Sequence, residues 1–272
     1  MTSEGFLFLP FVARSRHSRL RAAFADTLQT RLVIVVGYYN VDVKAGKFSM
    51  IAINIDPMNP EKTATLDELF PYNANMAAST GSSASDRIQV WDYVNQSYRY
   101  FFIYNNPFST ADVKNKHWVE NLTDKPFANV PIKTGDAVFY YALKKDNSFS
   151  IPGQVPNEAV GTLKQGYNMI GVGFPAEWCP NDAGTDFWKN AAFAGATGSS
   201  SADRIQYWDE ANDTYKHYFL YKNPFNAGDV KNNKWVDTTS KDELTEPLKT
   251  GSGFFYWKKN AGEIEFKPGL KL

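Results

Sequence analysis

The chain has 272 residues, of which 43% are hydrophobic and 21% charged, and a chain of this length can bury two cores of about 115 residues each. The 29 Lys and Arg balance the 29 Asp and Glu, so the overall charge gives no electrostatic reason to expect nucleic acid as a partner. A single cysteine, Cys179, excludes an intrachain disulfide and a Cys-rich metal site, and no apolar run is long enough to predict a transmembrane segment.

The N-terminal residues 1–31 differ in composition from the rest of the chain. An apolar run at residues 5–13 is followed by four arginines, whereas a secretory signal places its positive charges before the apolar core. Three interpretations stay open: a leader that is removed, a start codon assigned too far upstream, or an N-terminal arm that docks on the fold.

The first structured elements after this segment are turns that lead into strands. A Lys-x-Gly turn precedes a β-branched or bulky run twice, and glycine supplies the backbone freedom that such a turn needs. A short helix is predicted next in each case, with Thr65 and Thr185 as N-caps. The predicted strands cover residues 48–55 and 167–174, and the predicted helices cover residues 65–70 and 185–193.

The next segment shows that the chain contains an internal repeat. Residues 81–119 recur as residues 198–236, with 22 of the 39 aligned positions identical. Within the repeat, Arg-Ile-Gln-x-Trp-Asp and a following aromatic run predict a β-hairpin, in which Ile88 and Val90 lie on one face and Trp91 on the other. A late Lys-Thr-Gly strand follows at residues 132–141 and again at residues 248–257.

These elements predict a mainly β protein of two tandem homologous β-sandwich-like or barrel-like domains. Each domain is expected to contain about six or seven strands and one short helix. The first domain is predicted at residues 32–153 and the second at residues 154–272, because Pro and Gly crowd residues 151–157 as they do in short linkers.

The repeat also tests candidate chemistry, because it shows which residues both copies contain. The pairs Asp86-Arg87 and Asp203-Arg204 occur in both, which favours a structural role over a catalytic one. None of the three histidines is shared, so an enzyme built here would depend on one copy or on carboxylates. The carboxylates available to a hydrolase of this kind include Asp92, Asp112, Asp209 and Asp229. No motif predicts a metal site or a cofactor.

The repeated aromatic residues are a second candidate site. If the indoles of Trp91, Trp118, Trp208 and Trp235 faced solvent, they could stack on sugar rings, whereas indoles that face inward belong to the core. Other aromatic residues recur as well, namely Tyr98 with Tyr215, Tyr104 with Tyr221 and Phe108 with Phe225.

Four motifs together resemble those of uncharacterised, β-rich tandem-repeat proteins exported by bacteria. They are the openings Gly37-Tyr-Tyr-Asn40 and Gly166-Tyr-Asn168, the early Lys-x-Gly turn, the Arg-Ile-Gln-x-Trp-Asp hairpin and the late Lys-Thr-Gly strand. The resemblance covers residues 36–272, implies an extracellular or cell-surface setting and brings no catalytic residues. The N-terminus departs from it, because such proteins carry an ordinary signal peptide.

The sequence therefore favours a non-enzymatic structural, adhesion or assembly protein at the cell surface. The alternatives are a carbohydrate-binding protein that uses the four repeated tryptophans and a hydrolase that uses carboxylates of one copy. The expected partners are a polysaccharide or other copies of the same chain.

Overall fold

The computed structural model of the chain describes residues 36–58, 61, 63–121, 130–156, 161–183 and 185–267. Strands make up 42% and helices 8% of the structure, and the sheets are antiparallel and open, so the prediction of a mainly β protein is confirmed. The described residues belong to one compact unit. The predicted leader at residues 1–31 lies outside them.

The described residues of the first half, between 36 and 156, contain nine strands and one α-helix. In chain order they are β1 (Val36–Val43), β2 (Phe48–Ala52), β3 (Thr63–Ala64), α1 (Leu66–Leu69), β4 (Arg87–Asp92), β5 (Ser97–Ile103), β6 (Trp118–Glu120), β7 (Ile132–Lys133), β8 (Ala137–Tyr141) and β9 (Asn147–Gln154).

In the second half, the residues that the structure describes between 161 and 267 contain seven strands and one α-helix. They are β10 (Gly161–Leu163), β11 (Gly166–Ile170), α2 (Thr185–Trp188), β12 (Arg204–Asp209), β13 (Thr214–Tyr221), β14 (Lys234–Asp237), β15 (Phe254–Lys258) and β16 (Ile264–Phe266).

Each half contributes one five-stranded antiparallel sheet with an equivalent strand order. The order is β2-β8-β4-β5-β6 in the first half and β11-β15-β12-β13-β14 in the second. Three two-stranded pairs complete the described sheets: β1 with β9, β3 with β7, and β10 with β16.

The predicted hairpin is confirmed, and its alternation explains how each sheet is buried. Ile88 and Val90 point into a core that belongs to the first half alone, which we call the first outer core. Trp91 points to the opposite face of the sheet, where it packs against an apolar layer that residues of both five-stranded sheets build. We call this shared layer the inner layer. Alternate side chains of this strand therefore pack into two separate cores, one on each face of the sheet.

The short helices begin near the predicted caps. Thr65 is the N-cap of α1, where its side chain accepts a hydrogen bond from the Glu68 backbone and the Glu68 carboxylate accepts one from the Thr65 backbone. Thr185 is the first residue of α2 rather than its cap, and this helix ends at Trp188, earlier than the sequence predicts.

Two other boundaries differ from the prediction. The segment at residues 132–141 is two strands, because Gly135 adopts a positive φ of 87° and turns the chain between β7 and β8. Residues 151–154, taken as linker, belong to β9, which pairs with β1 along its whole length. The two five-stranded sheets, one from each half, both contribute to the inner layer.

Candidate functional site

The tryptophans Trp91 and Trp208 hold the two halves together. Nε1 of Trp91 donates a hydrogen bond to the backbone oxygen of Tyr167 at 2.9 Å. Nε1 of Trp208 donates to the backbone oxygen of Phe48 at 2.7 Å. These contacts are reciprocal, because Phe48 in β2 and Tyr167 in β11 occupy equivalent positions of the two halves. The same pattern describes a two-fold symmetric interface, in which each contact occurs twice.

Other contacts across the inner layer follow the same reciprocity. The ring of Phe255 lies 5.6 Å from Trp91, and the ring of Phe139 lies 5.7 Å from Trp208, measured between ring centroids. At one end of the layer, the bridge between Ile51 and Ser252 is matched by the bridge between Ile170 and Asp136. Both half-buried tryptophans therefore serve packing between the sheets.

The other two predicted tryptophans lie in the outer cores: Trp118 in the first outer core, and Trp235 in the separate core of the second half, which we call the second outer core. Trp118 and Trp235 have no exposed surface, and Trp118 donates its indole N–H to the backbone oxygen of Phe70 at 2.9 Å. A ring without exposed surface cannot stack on a sugar. The structure does not bring the four tryptophans into one exposed face, which is the arrangement that carbohydrate binding through them requires.

The aspartates of the repeated Asp-Arg pairs are buried in each half and hold neighbouring strands together. The carboxylate of Asp86 accepts hydrogen bonds from the Tyr140 hydroxyl at 2.8 Å and the Leu143 backbone at 2.8 Å. Asp203 accepts the same two bonds from Tyr256 and Lys259, at 2.7 and 2.8 Å. Burial raises the pKa of both carboxyls. They tie the start of one strand to the end of its neighbour.

The arginines of these pairs stack on aromatic rings. The guanidinium of Arg87 lies 4.4 Å from the centre of the Tyr141 ring, and that of Arg204 lies 4.1 Å from the Trp257 ring. Both rings belong to the neighbouring strand of the same sheet. The arginines are thus engaged in each sheet and do not form an anion clamp beside the aspartates.

The carboxylates considered for hydrolysis cap turns. Asp92 accepts hydrogen bonds from the backbones of Val94 and Asn95, and Asp209 accepts the equivalent bonds in the second half. Hydrogen bonds from Asn95 and Asn212 lower the pKa of Asp92 and Asp209 respectively. A general acid needs a raised pKa, so these carboxylates are tuned in the opposite direction.

The most exposed apolar side chains of the described residues lie on two equivalent loops. We call residues 105–116 and 222–233 the Asn-Pro-Phe loops, because that motif starts at the second residue of each. Phe108 is 96% exposed and Phe225 is 94% exposed, and Val113 and Val230 of the same loops are also exposed. Both phenylalanines recur in the sequence as repeated aromatic residues, but the sequence predicts ligand binding at the tryptophans. An aromatic residue after Asn-Pro, outside any alternating pattern, is the signal that identifies the phenylalanines.

The two Asn-Pro-Phe loops are held by the same five hydrogen bonds, each of which occurs once in each loop. The Asn106 side chain accepts from the Phe108 backbone at 3.0 Å, while Oδ1 of Asn115 accepts from the Asn106 backbone at 2.6 Å. The Asp112 carboxylate accepts from the Tyr104 hydroxyl and from a backbone N–H, and Nδ2 of Asn115 donates to a backbone oxygen. The second loop repeats all five bonds, at distances between 2.6 and 3.0 Å.

The loops are weakly basic. Each contains two lysines and one aspartate. Backbone hydrogen bonds from Lys114 and Lys231 are the main reason that the pKa values of Asp112 and Asp229 are lowered. The two carboxylates thus accept hydrogen bonds from the backbone of their own loops. Lys116 and Lys222, in contrast, are exposed at the bases of the loops.

A shallow polar cavity of about 260 Å³ lies elsewhere, beside β14 in the second half. Its acidic residues are largely paired: Glu243 with Lys234 at 2.8 Å and Glu246 with Lys216 at 2.7 Å. Tyr218 also lines it. None of the Asn-Pro-Phe loop residues does, so the cavity and the loops are separate features.

The cysteine next to this region is inert. Cys179 is buried, its thiol donates to the Leu244 backbone oxygen at 3.3 Å, and burial raises the pKa of the thiol. His117 lies 3.1 Å from the Asp67 carboxylate, and His217 is exposed on β13. Among the described residues, no group of three His, Cys, Asp or Glu side chains is placed to hold a metal ion. None of the described helices is long and apolar enough to cross a membrane.

Comparison of the chain with known protein families, curated proteins and solved structures finds no match.

Proposed function

We propose that the chain is a non-enzymatic surface protein of the adhesion or assembly type, built from a duplicated β unit, that binds its partner through the two Asn-Pro-Phe loops. The observation that carries the proposal is the nearly complete exposure of Phe108 and Phe225. They lie on two loops that are held by the same hydrogen bonds. The equivalent strand orders of the two sheets support the duplication.

The exposed phenylalanines contribute little to folding, because they bury almost no surface. Other exposed positions differ between the halves: Val94 corresponds to Ala211, and Tyr100 corresponds to His217. The Asn-Pro-Phe loops instead keep both of their exposed apolar residues identical. Aromatic side chains on rigid supports are typical anchors of binding surfaces.

The rigidity of the loops supports the same function. Because each loop is already held by hydrogen bonds, it loses little conformational entropy when its phenylalanine is buried by a partner. The extracellular or cell-surface setting that we propose rests on the resemblance to exported bacterial proteins. In that setting the natural assay is attachment to cells.

The test is attachment of fluorescently labelled protein to intact bacterial cells and to isolated cell envelopes. The double variant Phe108→Ser/Phe225→Ser is expected to lose at least about tenfold in attachment, since burying one phenylalanine is worth roughly 1.5–3 kcal/mol. Its thermal unfolding is expected to match that of the wild type, because the replaced rings are exposed.

The matched control is Val94→Ser, which removes another highly exposed apolar side chain, 89% accessible, from the turn between β4 and β5. It is expected to attach like the wild type. Equal attachment of the wild type and the double phenylalanine variant would refute the proposal.

A further inference from the structure

The chemistry of the Asn-Pro-Phe loops identifies a class of partner. This inference rests on the proposed function, because it takes the two loops as the binding elements. We infer that they dock on the surface of an anionic phospholipid bilayer, with Phe108 and Phe225 inserted below the headgroups.

The loops are protrusions rather than recesses. Phe108 and Val113 are both exposed on one loop, and Phe225 and Val230 on the other. The cavity beside β14 is lined by other residues, so it is separate from the exposed rings. A protruding apolar side chain needs a pocket in a protein partner, whereas a bilayer accepts it without one, because the boundary between headgroups and acyl chains rearranges around it.

The charge beside the apolar side chains is positive, and the Lys116 ammonium lies 5.7 Å from the centre of the Tyr72 ring. Lys116 and Lys222 are exposed and lie at the bases of the loops. Among the described residues, none of the salt bridges involves either lysine. The negative charges of the loops, Asp112 and Asp229, accept hydrogen bonds from within the loops. An apolar tip with lysines behind it complements a layer of acyl chains beneath anionic phosphates.

The hydrogen bonds of the loops fix this arrangement before docking. The Asn106 side chain holds the backbone of Phe108, and Asn223 holds that of Phe225, both at 3.0 Å. Insertion therefore buries the ring with little ordering of the backbone. The overall charge of the chain is zero, so the attraction is local to the loops.

The experiment measures how the full chain partitions onto vesicles of phosphatidylcholine, with and without phosphatidylglycerol, by flotation. The wild type is expected to bind the phosphatidylglycerol vesicles more strongly, with binding that falls as salt is added. Phe108→Ser/Phe225→Ser is expected to lower this binding by at least about tenfold. Lys116→Gln/Lys222→Gln is expected to lower it by roughly an order of magnitude and to leave binding to phosphatidylcholine unchanged.

Two controls are available in the chain. Val94→Ser removes an exposed apolar side chain outside the loops, and Lys144→Gln/Lys145→Gln removes two exposed charges from the turn between β8 and β9. Both are expected to bind phosphatidylglycerol vesicles like the wild type. Equal losses in these controls would overturn the assignment to the loops.

The outcomes separate this inference from the proposed function. If attachment to cells depends on the phenylalanines but the wild type does not bind phosphatidylglycerol vesicles, the bilayer inference is wrong and a protein or polysaccharide is the partner. If sedimentation shows self-association that the phenylalanine variant abolishes, and vesicles are not bound, the partner is a second copy of the chain. If neither attachment nor vesicle binding depends on the phenylalanines, both proposals fail.

Discussion

The two outer cores differ far more than the two sheets that cover them. In the first outer core, Val90 and Phe101 pack from β4 and β5, whereas Tyr207 and Tyr218 occupy the equivalent positions in the second half. Trp118 donates its indole N–H to a backbone oxygen, but the equivalent indole N–H of Trp235 has no partner among the described residues. The same strand order thus tolerates different packing.

The inner layer shows the opposite behaviour. Its contacts occur in reciprocal pairs, as with Trp91 and Trp208, and its tightest point places Ala52 against Gly171. A surface that must fit its own counterpart constrains both partners at once, whereas an outer core constrains only itself. The predictions below test this difference.

The largest effect is expected at the tightest contact of the inner layer. A Cβ atom added to Gly171 would lie 2.3 Å from Cβ of Ala52, which is closer than two carbon atoms can approach. We expect Gly171→Ala to lower the free energy of unfolding by about 3 kcal/mol, measured by urea denaturation. Adding Ala52→Gly is expected to restore part of the loss, because it removes the clashing methyl group.

The control for this substitution is Gly198→Ala. A Cβ atom at Gly198 meets nothing within 4 Å, and its φ of −143° suits any residue. This substitution is expected to leave the free energy of unfolding unchanged. A loss at Gly171 as small as that at Gly198 would show that the halves can separate at this point.

The second prediction concerns the reciprocal indoles. We expect Trp91→Phe and Trp208→Phe each to cost about 2 kcal/mol of unfolding free energy, because each removes a hydrogen bond to the opposite half and part of the packed ring. Denaturation followed by circular dichroism and by tryptophan fluorescence should show one transition in both variants. If only one of the two variants lost a large part of its unfolding free energy, the two indole contacts would not be equivalent.

The elements that the sequence predicted are those encoded by local patterns. The alternation of Ile88 and Val90 with Trp91 identifies β4, and Thr65 marks the start of α1. The buried face of Trp91 could not be predicted, because its partner Tyr167 lies 76 residues away in the other half. A repeat seen in sequence does not reveal whether its copies pack separately or against each other.

The candidate site was predictable only in part for a related reason. A repeated Trp118 and a repeated Phe108 look alike in sequence, yet the first is fully buried and the second almost fully exposed. Trp118 begins β6, where both it and the neighbouring Val119 are buried. Phe108 follows Asn-Pro in a loop, where turn geometry sets the direction of the side chain.

The third prediction uses a position where the halves differ. Asp136 lies at the contact between the halves, and its counterpart is Ser252. Burial raises the pKa of Asp136 from 3.8 to about 6. The folded protein therefore binds more protons between these values, so this carboxyl contributes stability that is full below pH 3.8 and is lost as the pH rises through 6.

Above about pH 7, Asp136→Asn is accordingly expected to raise the free energy of unfolding, measured by urea denaturation, by up to about 2 kcal/mol relative to the wild type. The amide oxygen can still accept the hydrogen bond from the Lys133 backbone, which is 2.8 Å long in the wild type. The difference should shrink on acidification to about pH 4. A difference that is independent of pH would rule out titration of Asp136 as its cause.

The smallest expected effect tests the unpaired hydroxyl of the second outer core. Tyr207 is buried and its hydroxyl has no hydrogen-bond partner among the described residues, whereas the first half has Val90 at this position. A buried hydroxyl without a partner costs free energy, so Tyr207→Phe is expected to raise the free energy of unfolding by about 1 kcal/mol. The matched control is Tyr256→Phe, which removes a hydroxyl that donates to Asp203 at 2.7 Å and is therefore expected to be destabilising. If Tyr207→Phe is instead destabilising, the second outer core uses that hydroxyl, and the greater freedom that we assign to the outer cores does not extend to this position.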